Sequence, residues 1–576
     1  MPPRITAPYR ATVSERSWAR TLAGTSAFVI GVLDIVRAVH PAFARTRLAG
    51  ITDVLPGGAV AIAGAASLIV GVLLVMLAHG LRRGKARAWR LIMVLLPVSA
   101  VAGVLHGGHP LTVALTLGLF VVLLAARSEF RALSDPRTRW RALWVFLAMA
   151  TVAVAVGYLM VSAYAVAAPP ADRLAQVLLG LAGLPGPVTF IGPRADDLVT
   201  YSLAGLGALT AVTTLYLVLR PERPIAALTP DEERAVRCLL DREGARDSLG
   251  YFALRRDKSV IFSPTGKAAI AYRVVGGVML ASGDPIGDVE AWPGAIREFT
   301  AKAGRHAWVP AVIGCSEEGG TIWSRETGLR ALEMGDEAVV EVAGFHLEGR
   351  AMRNVRQMVH RTERAGYTCE VRWAADIGAP EWEHLRHAAR AWRGTARERG
   401  FSMALGRMGD PADSGCVLAT ARGPDGEAED GSRPAAMLHF VPWGAHGLSL
   451  DLMRRERGGA PGLNELLIVK VLQAAPALGV SAVSLNFAIF RSALARGERL
   501  GAGPIRRAWR AVLIFLSRWL QIESLYRFNS KFQPRWEPRF LIYPATRDLP
   551  RIGLAALRAE AFIGGPRLRP GGRGRR

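Results

Sequence analysis

A carboxylate and a guanidinium stand three residues apart in the stretch GLSLDLMRRERGGAPGLNELLIVKVLQ, at Asp451 and Arg454. A carboxylate can hold an ammonium group or take a proton from a hydroxyl. An arginine can hold a phosphate through two hydrogen bonds of its planar fork. A surface Asp–Arg pair beside a loop would show the same spacing, so the elements around the pair decide between these two interpretations.

The residues before the pair alternate between apolar and polar types, which predicts a β-strand. The leucines at positions 448, 450 and 452 would share the core face, so that Asp451 looks into a cleft. The glycine-rich segment 458–462 allows a sharp reversal. The next helix begins near Leu463, and its free N–H groups favour a phosphate or an ester oxygen. Asn464, in the first turn of this helix, is a candidate substrate-binding residue.

The same order of elements occurs twice after Thr229. The segments KAAIAYRVV, GVMLASGDPIGD, AWPGAIREFTAKAG and AWVPAVIGC indicate two strands, a helix and a strand. The segments AAMLHFVPW, GLSLDLMR, GLNELLIVKVLQAAPALG and VSAVSLNFAIF repeat that order. Asp284 and Asp451 occupy the same place in each unit. The order fits a tandem GNAT acyltransferase fold, whose split sheet opens a V-shaped cleft, although any α/β protein shows some recurrence of this kind.

The first 220 residues contain six apolar stretches of roughly the length that crosses a bilayer, about 20 residues. They are 22–39, 55–78, 89–105, 111–126, 143–166 and 198–219. Cytoplasmic loops collect lysine and arginine, and such residues crowd the loops after the second and fourth stretches. We therefore expect a multi-pass protein of the cell membrane, with the N- and C-termini in the cytoplasm.

The formal net charge of +24 comes almost wholly from arginine. Such a charge suggests an anionic partner, either nucleic acid or an anionic membrane surface. An arginine-rich composition also follows from a GC-rich genome, so both explanations stay open. The four cysteines form no CxxC pair, which fits a reducing compartment and predicts no metal site of the zinc type.

Six segments within 248–544 together resemble the aminoacyl-phosphatidylglycerol synthases, the family of lysylphosphatidylglycerol synthetase and the multiple peptide resistance factor. They are YFALRRDKSVIFSPTGKAAIAYRVVGGVMLASGDPIGD, FHLEGRAMRNVRQMVHRTERAGY, RGFSMALGRMGDPAD, LSLDLMRRE, LNFAIFRS and SLYRFNSKFQPRWEPRFLIYP. The sequence is most similar to the membrane and transferase portion of the mycobacterial-type bifunctional enzymes. The resemblance implies a tandem GNAT-like domain behind a multi-span membrane domain.

The resemblance also implies an activity. Family members take an amino acid, here expected to be lysine, from aminoacyl-tRNA and esterify it to the glycerol hydroxyl of phosphatidylglycerol. The product is a cationic lipid that lowers the negative charge of the surface and gives resistance to cationic peptides. Donor and product are both esters, so we expect no cofactor. Bifunctional relatives carry a lysyl-tRNA synthetase module after the transferase. Only a short basic tail follows here, so we expect Lys-tRNA from a separate synthetase.

The resemblance assigns roles to particular residues. The family's DxxR element falls on Asp451 and Arg454, which are the expected catalytic pair. Its signature F-K-x-K-F-x-P-x-W falls on 528–536, where Lys531 keeps the second lysine and Asn529 replaces the first.

Several further residues are expected to bind substrate. Lys531 and Arg527 are expected partners of tRNA phosphate, with Arg527 in place of the missing lysine. Glu523 is a candidate for reading a lysine side chain. Asp284, the counterpart of Asp451 in the first unit, is a candidate for contact with the substrate.

A basic stripe is predicted on the helix within FHLEGRAMRNVRQMVHRTERAG, because basic residues recur there every three or four positions. They are Arg350, Arg353, Arg356, His360 and Arg364. Such a stripe suits an RNA backbone or an anionic lipid surface, and it is also typical of a solvated helix face.

The predicted architecture is an N-terminal all-α transmembrane bundle of about six helices, followed by an α/β tandem GNAT-like domain. The bundle covers 1–220, a proline-rich linker 221–230, the tandem domain 231–550 and a basic C-terminal tail 551–576. The two subdomains cover about 231–370 and 371–550. Two other functions stay open, a GNAT-like transferase with another lipid or a peptide acceptor, and a non-catalytic lipid transporter or sensor. A homo-oligomer is compatible with the sequence.

Overall fold

The structure is a computed structural model, which describes residues 9–39, 57–82, 84–105, 110–130, 138–190, 193–219, 224, 226–394, 398–424, 433–489 and 522–562. The chain divides into two compact units. One contains Met1–Arg223 and Gly304–Trp308, and the other contains Pro224–Ala303 and Val309–Arg576. The division near Arg223 falls within the proline-rich segment 221–230.

The N-terminal unit is built from helices. They are α1 Tyr9–Val39, α2 Gly57–Arg82, α3 Ala86–Leu105, α4 Pro110–Ala125, α5 Thr138–Tyr164, α6 Pro170–Leu181 and α7 Pro193–Leu219. Two glycines set the closest approach of α1 and α2. A Cβ atom on Gly31 would lie 2.6 Å from the carbonyl oxygen of Gly71, and one on Gly71 would lie 2.7 Å from that of Gly31. Small residues allow this kind of close backbone contact between membrane helices.

Two of the described helices contain segments long and apolar enough to cross a bilayer, at Leu143–Tyr164 and Ala195–Leu215. They coincide with the fifth and sixth predicted spans. The described helices do not support all six, because the apolar segments Ile69–Arg82 and Pro110–Ala125 are shorter. The 16 residues of α4 extend about 24 Å at 1.5 Å each, less than the ~30 Å hydrocarbon core.

The C-terminal unit combines a twelve-stranded sheet with helices. The helices are α8 Pro230–Glu243, α9 Trp292–Arg305, α10 Glu317–Thr327, α11 Arg353–Arg364, α12 Ala379–Trp392, α13 Leu463–Ala474, α14 Ile522–Ser530 and α15 Leu549–Ala559. The strands are β1 Ser259–Phe262, β2 Ala268–Val275, β3 Val278–Ser282, β4 Ile286–Gly287, β5 Val309–Cys315, β6 Arg330–Glu341, β7 Thr368–Trp373, β8 Val417–Arg422, β9 Pro434–Trp443, β10 Gly447–Arg455, β11 Ala482–Ile489 and β12 Arg535–Tyr543.

Two parallel strand pairs organise this sheet. β3 and β5 form a parallel pair and are connected in the chain through α9. β10 and β11 form a parallel pair and are connected through α13. This arrangement confirms the predicted repeat of strand, strand, helix and strand. The β10–β11 ladder covers only Gly447–Ser449 opposite Ala482–Ser484, although both strands continue further. The two strands therefore separate beyond Ser449, where a split sheet was expected.

The two halves of the sheet exchange strands. The order is β1-β2-β3-β5-β12-β6-β11-β10-β9-β8-β7, with β4 beside β2. β6, from the first half of the unit, pairs with β11 of the second, and β12, from the second half, pairs with both β5 and β6. The predicted subdomains therefore share one continuous sheet.

The last described helix extends the domain beyond the predicted boundary at residue 550. α15 buries Ile552 and Ala555 against β3 and β5. Residues 551–559 therefore belong to the folded unit and not to a tail, because the apolar face of this helix is needed to cover the sheet. The remaining positions from 563 to 576 lie outside the described residues.

Candidate active site

β10 carries an irregularity where Asp451 stands. Leu450 pairs with Phe440 of β9 and Leu452 pairs with His439, so Asp451 is an extra residue on its strand. Such a β-bulge bends the strand and redirects the side chain of the extra residue. The bulge therefore determines where the Asp451 carboxylate points.

The bulge also changes which leucines share a face. Leu448 and Leu450 pack in the core beneath α13, whereas Leu452 packs with Trp382 and Leu385 of α12. The expectation that the three leucines share one face is wrong for Leu452. One extra residue shifts the alternation of side chains along the strand.

The carboxylate of Asp451 is held by two protein groups. Nδ1 of His439 lies 2.8 Å from Oδ2, and the backbone N–H of Leu405 donates to Oδ1 at 2.6 Å. The side chains of Asp451 and His439 are 3% and 1% exposed. Asp451 is therefore anchored rather than freely presented to solvent.

His439 is placed where its protonated form is favoured. Burial alone would lower the pKa of His439, but Cys416 and Asp451 raise the pKa from 6.5 to about 10. Burial in turn raises the pKa of the Cys416 thiol above its usual value. The Asp451 carboxylate faces this imidazole at hydrogen-bond distance.

Asp451 and Arg454 line one cavity of about 280 Å³. Its walls come from α12, from the segment 398–408 and from β10. Five arginines line it against two carboxylates, Asp451 and Glu398. The arginines are Arg386, Arg390, Arg393, Arg407 and Arg454. Arg386 and Arg407 also pair with carboxylates outside this lining, Glu383, Glu233 and Asp413, whereas Arg390 is exposed.

Arg454 is oriented at the edge of this cavity by two acceptors. Its Nη1 donates to the carbonyl oxygen of Ala389 at 3.2 Å, and its Nη2 pairs with Glu398. Glu398 also accepts from Nη1 of Arg393 at 3.2 Å. The Arg454 side chain is 12% exposed, so its planar fork is largely fixed before any substrate binds.

Lys531 contacts the start of α13, the helix whose first turn contains Asn464. Nζ of Lys531 donates to Oε1 of Glu465 at 2.6 Å, while the Lys531 side chain stays 40% exposed. Oδ1 of Asn464 is buried and has no hydrogen-bond partner in the described part of the chain. These residues are not among those that line the cavity beside Asp451.

Three residues of α14 bear on the predicted signature. Arg527 is exposed. Glu523 lies in the same helix, with its side chain outside the described residues. Asn529 is 1% exposed, and its Nδ2 donates to the carbonyl oxygen of Leu485 at 3.2 Å. Burying the charged ammonium group of a lysine at this position would cost desolvation free energy, which accounts for the amide found here.

Asp284 lies in a buried network of the first half. It accepts a hydrogen bond from the N–H of Ser316 at 2.8 Å, and Sγ of Cys315 lies 3.1 Å away. Burial and the neighbouring Asp247 raise the pKa of Asp284 to about 6. The expectation that Asp284 contacts substrate is not supported, because this carboxylate is 6% exposed and has partners within the protein.

The basic stripe is divided between exposed and bound side chains. α11 buries Val355 and Val359 and leaves its opposite face to solvent. The exposed members of the stripe are Arg350, Arg353, His360 and Arg364. Arg356 is only half-buried, and it bonds the carbonyl oxygens of the preceding loop at Leu347 and Gly349. Arg356 therefore holds the fold and is less available to a ligand.

Sequence reasoning missed His439 and the arginines of α12. Arg386, Arg390 and Arg393 recur at spacings of four and three, a helical signal that was present in the sequence. His439 gave no local signal, because its partner lies across the strand pair. Among the described residues, no three His, Cys, Asp or Glu side chains form a group that could hold a metal ion.

The fold is that of GNAT-like acyltransferases, which defines the class of the C-terminal unit. A solved structure, L-PGS from Bacillus licheniformis, shares this fold with a TM-score of 0.51 and 22% identity. The match covers 59% of this chain and 99% of that chain.

Comparison with known sequences specifies the family. The model of the family described as "Phosphatidylglycerol lysyltransferase, C-terminal" matches residues 237–543. The model of the family described as "Transmembrane region of lysyl-tRNA synthetase" matches residues 15–219. The chain is 41% identical to a lysylphosphatidylglycerol biosynthesis bifunctional protein LysX of Rhodococcus jostii over 87% of its length. It is 39% identical to that of Mycobacterium marinum over 96%.

The chain belongs to the lysylphosphatidylglycerol synthase family. It spans 45% and 50% of the length of these two relatives. The match to a transmembrane region and the two apolar helices make it a membrane protein.

Proposed function

We propose that this protein is a phosphatidylglycerol lysyltransferase. It moves the lysyl group from aminoacyl-tRNA to the glycerol hydroxyl of phosphatidylglycerol at the cytoplasmic leaflet. The observation that carries the proposal is the cavity in which Asp451 and Arg454 meet four further arginines, within a chain of this family. Related proteins of similar sequence are named for lysylphosphatidylglycerol biosynthesis.

The guanidinium groups of the cavity support an anionic lipid headgroup as the ligand. Five arginines line the cavity, and four of them also pair with carboxylates, at Glu383, Glu398, Glu233 and Asp413. Arg390 is exposed on α12, and Arg454 presents a fixed guanidinium at the edge of β10. A phosphodiester suits such a site, because arginine binds phosphate oxygens in a planar, two-point geometry.

The reaction exchanges one ester for another. The glycerol hydroxyl of the lipid attacks the carbonyl carbon of the aminoacyl ester, and the ribose oxygen of the tRNA leaves as a hydroxyl. The proton of the attacking hydroxyl ends on that leaving oxygen. Because bond types are conserved, most of the acceleration comes from holding the two substrates together. Asp451, held in place by His439 and by the N–H of Leu405, supplies negative charge for the ammonium group of the donor or for the proton in transit.

The surfaces outside the cavity have roles in this proposal too. The exposed arginines of α11 face RNA or the anionic membrane. Lys531 and Arg527 contact tRNA phosphate, with Asn464 at the adjacent helix start and Glu523 reading the lysine side chain. The membrane unit spans the bilayer several times, with both termini in the cytoplasm. It keeps the transferase beside its lipid substrate.

The proposal is tested by the lipids of a host that expresses the full chain. We expect a new ninhydrin-positive cationic lipid with the wild type and none with Asp451→Ala. Asp451→Asn keeps the shape and removes the charge, and we expect it to be inactive as well. Asp241→Ala changes an exposed aspartate on α8 and serves as the matched control.

Transfer in vitro separates the alternatives. Purified protein is incubated with phosphatidylglycerol and with tRNAs charged with different labelled amino acids, and the product is identified by mass spectrometry. A different lipid or a peptide as acceptor would indicate a GNAT-like transferase of other specificity. No transfer from any charged tRNA, with a wild-type lipid profile equal to that of Asp451→Ala, would favour a transporter or sensor and reject the proposal.

A further inference from the structure

One short segment forms a wall of the cavity and reaches Asp451. Residues 400–407, the strap, have the sequence GFSMALGR and lie between α12 and β8. Ala404, Gly406 and Arg407 of the strap line the cavity. The N–H of Leu405 donates to Asp451 at 2.6 Å. The position of the strap therefore determines both the shape of the cavity and one of the bonds to its carboxylate.

The strap is tied to the end of α15 through Glu560. Oε2 of Glu560 accepts from the N–H of Phe401 at 2.6 Å, and Oε1 accepts from the N–H of Ser402 at 3.0 Å. The hydroxyl of Ser402 donates to the same Oε1. The backbone carbonyl of Glu560 accepts from the N–H of Gly400 at 3.2 Å. A single residue therefore receives four hydrogen bonds from three consecutive residues of the strap.

Packing and charge reinforce this attachment. Phe401 is fully buried in the core that α15 forms with β3 and β5. Nζ of Lys258 lies 4.5 Å and Cζ of Arg273 lies 5.0 Å from the centre of its ring. Arg273 also donates to the carbonyl oxygen of Ala559 at 2.7 Å.

The location of Glu560 is unfavourable for a carboxylate unless it has such a partner. Glu560 stands at the C-cap of α15, where the helix dipole disfavours negative charge. Strap N–H groups and the nearby guanidinium of Arg273 offset that cost. The Glu560 carboxylate is therefore stabilised by the strap and not by the dipole of its own helix.

The strap is held again close to Asp451. Nη1 of Arg255 donates to the carbonyl oxygen of Ala404 at 2.9 Å, and Arg255 pairs in turn with Asp257 at 2.6 Å. Only Met403 and Ala404 separate the residue that Glu560 holds from the residue that bonds Asp451. A shift of the strap at Ser402 is thus transmitted over a short, constrained piece of backbone.

We propose that Glu560 is a positioning residue of the transfer reaction, acting through the strap on the Asp451 carboxylate and on the cavity wall. The inference rests on the proposed function for its kinetic test. It also makes the last described helix part of the active site, whereas the sequence analysis placed residue 560 in a basic tail.

The test compares the full-length protein with Glu560→Gln. The amide keeps the size of the side chain but offers an N–H to one of the strap N–H groups, so one anchoring bond is lost. We expect kcat for lysyl transfer to fall by about tenfold to a hundredfold, since misplacement by ~1 Å can cost that much. The thermal unfolding midpoint should stay near that of the wild type. Glu298→Gln, at an exposed glutamate of α9, is the matched control and should be unchanged.

Two further variants keep the test decisive if Glu560→Gln folds poorly. Glu560→Asp retains the charge on a shorter side chain and should recover part of the rate. Ser402→Ala removes only the hydroxyl bond and should lower kcat by a smaller factor. A kcat per folded molecule within twofold of wild type in every variant would overturn the inference.

Hydrogen exchange provides a readout that does not depend on catalysis. Amides of 398–410 should exchange faster in Glu560→Gln than in the wild type, and unchanged exchange would also overturn the inference. If the wild type itself transfers no lysine, the proposed function fails, and the exchange experiment still decides whether Glu560 holds the strap.

Discussion

Nδ1 of His439 lies 2.8 Å from Oδ2 of Asp451, across neighbouring strands of the sheet and almost out of contact with solvent. The other oxygen of this carboxylate accepts the N–H of Leu405. The protein therefore sets the orientation of Asp451 through two of its own groups. This arrangement suits a site that must present a fixed negative charge among many arginines.

Replacing His439 tests the pairing through its pH dependence. The pKa of His439 is raised from 6.5 to about 10, with burial opposing the shift and Cys416 and Asp451 causing it. A raised pKa in the folded state stabilises the fold fully below the unfolded pKa of 6.5, and that stabilisation is lost as pH rises towards 10. His439→Asn can still donate to Asp451 but cannot take up the charge.

We therefore expect the thermal unfolding midpoint of the wild type to be higher than that of His439→Asn at pH 6. The difference between the two midpoints should shrink steadily as the pH rises towards 10. The measurement is thermal unfolding of the full-length proteins in the same detergent at several pH values. A gap that stays constant over this range would show that His439 carries no extra proton in the folded state.

Replacing Arg454 by lysine tests whether its two-point geometry matters. The guanidinium contacts both the carbonyl oxygen of Ala389 and the Glu398 carboxylate, and a lysine ammonium cannot reproduce that fork. Hydrogen bonds to charged groups contribute about 1.5–3 kcal/mol, so we expect lysyl transfer to fall by roughly tenfold to a hundredfold. Initial rates with labelled Lys-tRNA and phosphatidylglycerol vesicles measure this, and Arg455→Lys, one residue along on the exposed end of β10, is the control. Equal loss in both variants would argue against a special role for Arg454.

A buried lysine predicts a second, opposite pH effect. Burial, followed by the charge of Arg255, lowers the pKa of Lys258 from 10.5 to about 7. Because the folded state resists protonation of this group, its presence costs no stability above pH 10.5 and costs progressively more as pH falls to about 7. The unfolding midpoint of Lys258→Met, measured relative to that of the wild type, should therefore rise when the pH is lowered from 10 to 7.

The comparison uses the same thermal unfolding assay at both pH values. Loss of the hydrogen bonds from Lys258 to Phe252 and Ser282 shifts the midpoint equally at each pH, so only the difference between the two pH values counts. A difference of opposite sign would mean that Lys258 is protonated in the folded protein at neutral pH.

The exposed part of the basic stripe is tested by salt dependence. Arg353→Gln combined with Arg364→Gln should weaken binding of tRNA and flatten the plot of log affinity against log salt. Each lost phosphate contact lowers that slope by about 0.7–0.9. Arg234→Gln, an exposed arginine of α8, is the control. An unchanged slope would mean that these side chains face solvent or lipid.

Particular elements show how far local sequence patterns reached. The repeated order of strands and helices was predictable, because alternation of period two and helical spacing are local properties of the chain. The start of α13 at Leu463 was predictable from the glycine-rich segment before it. Gly462 in that segment adopts a left-handed conformation, with φ of 101°, which glycine takes without strain. The DxxR pair was found from its spacing and its resemblance to a family.

Local sequence patterns did not indicate which residues contact Asp451 and Arg454. The bulge at Asp451 depends on its register with β9, and this register moved Leu452 to the opposite face. Asn529 looked like a lost basic contact, and burial instead makes it a structural amide. Asp284 looked like a second substrate carboxylate, and a buried network encloses it.

By itself the amino-acid sequence determined the class of each unit, the order of its elements and the residue types at the site, because these follow from hydrophobic periodicity and from side-chain chemistry. Only the tertiary structure decided that β6 and β12 cross between the halves, that His439 faces Asp451, and that Glu560 reaches the strap. Those contacts join residues far apart in the chain. Their free energy comes from burial and hydrogen bonds that exist only once the whole sheet has formed.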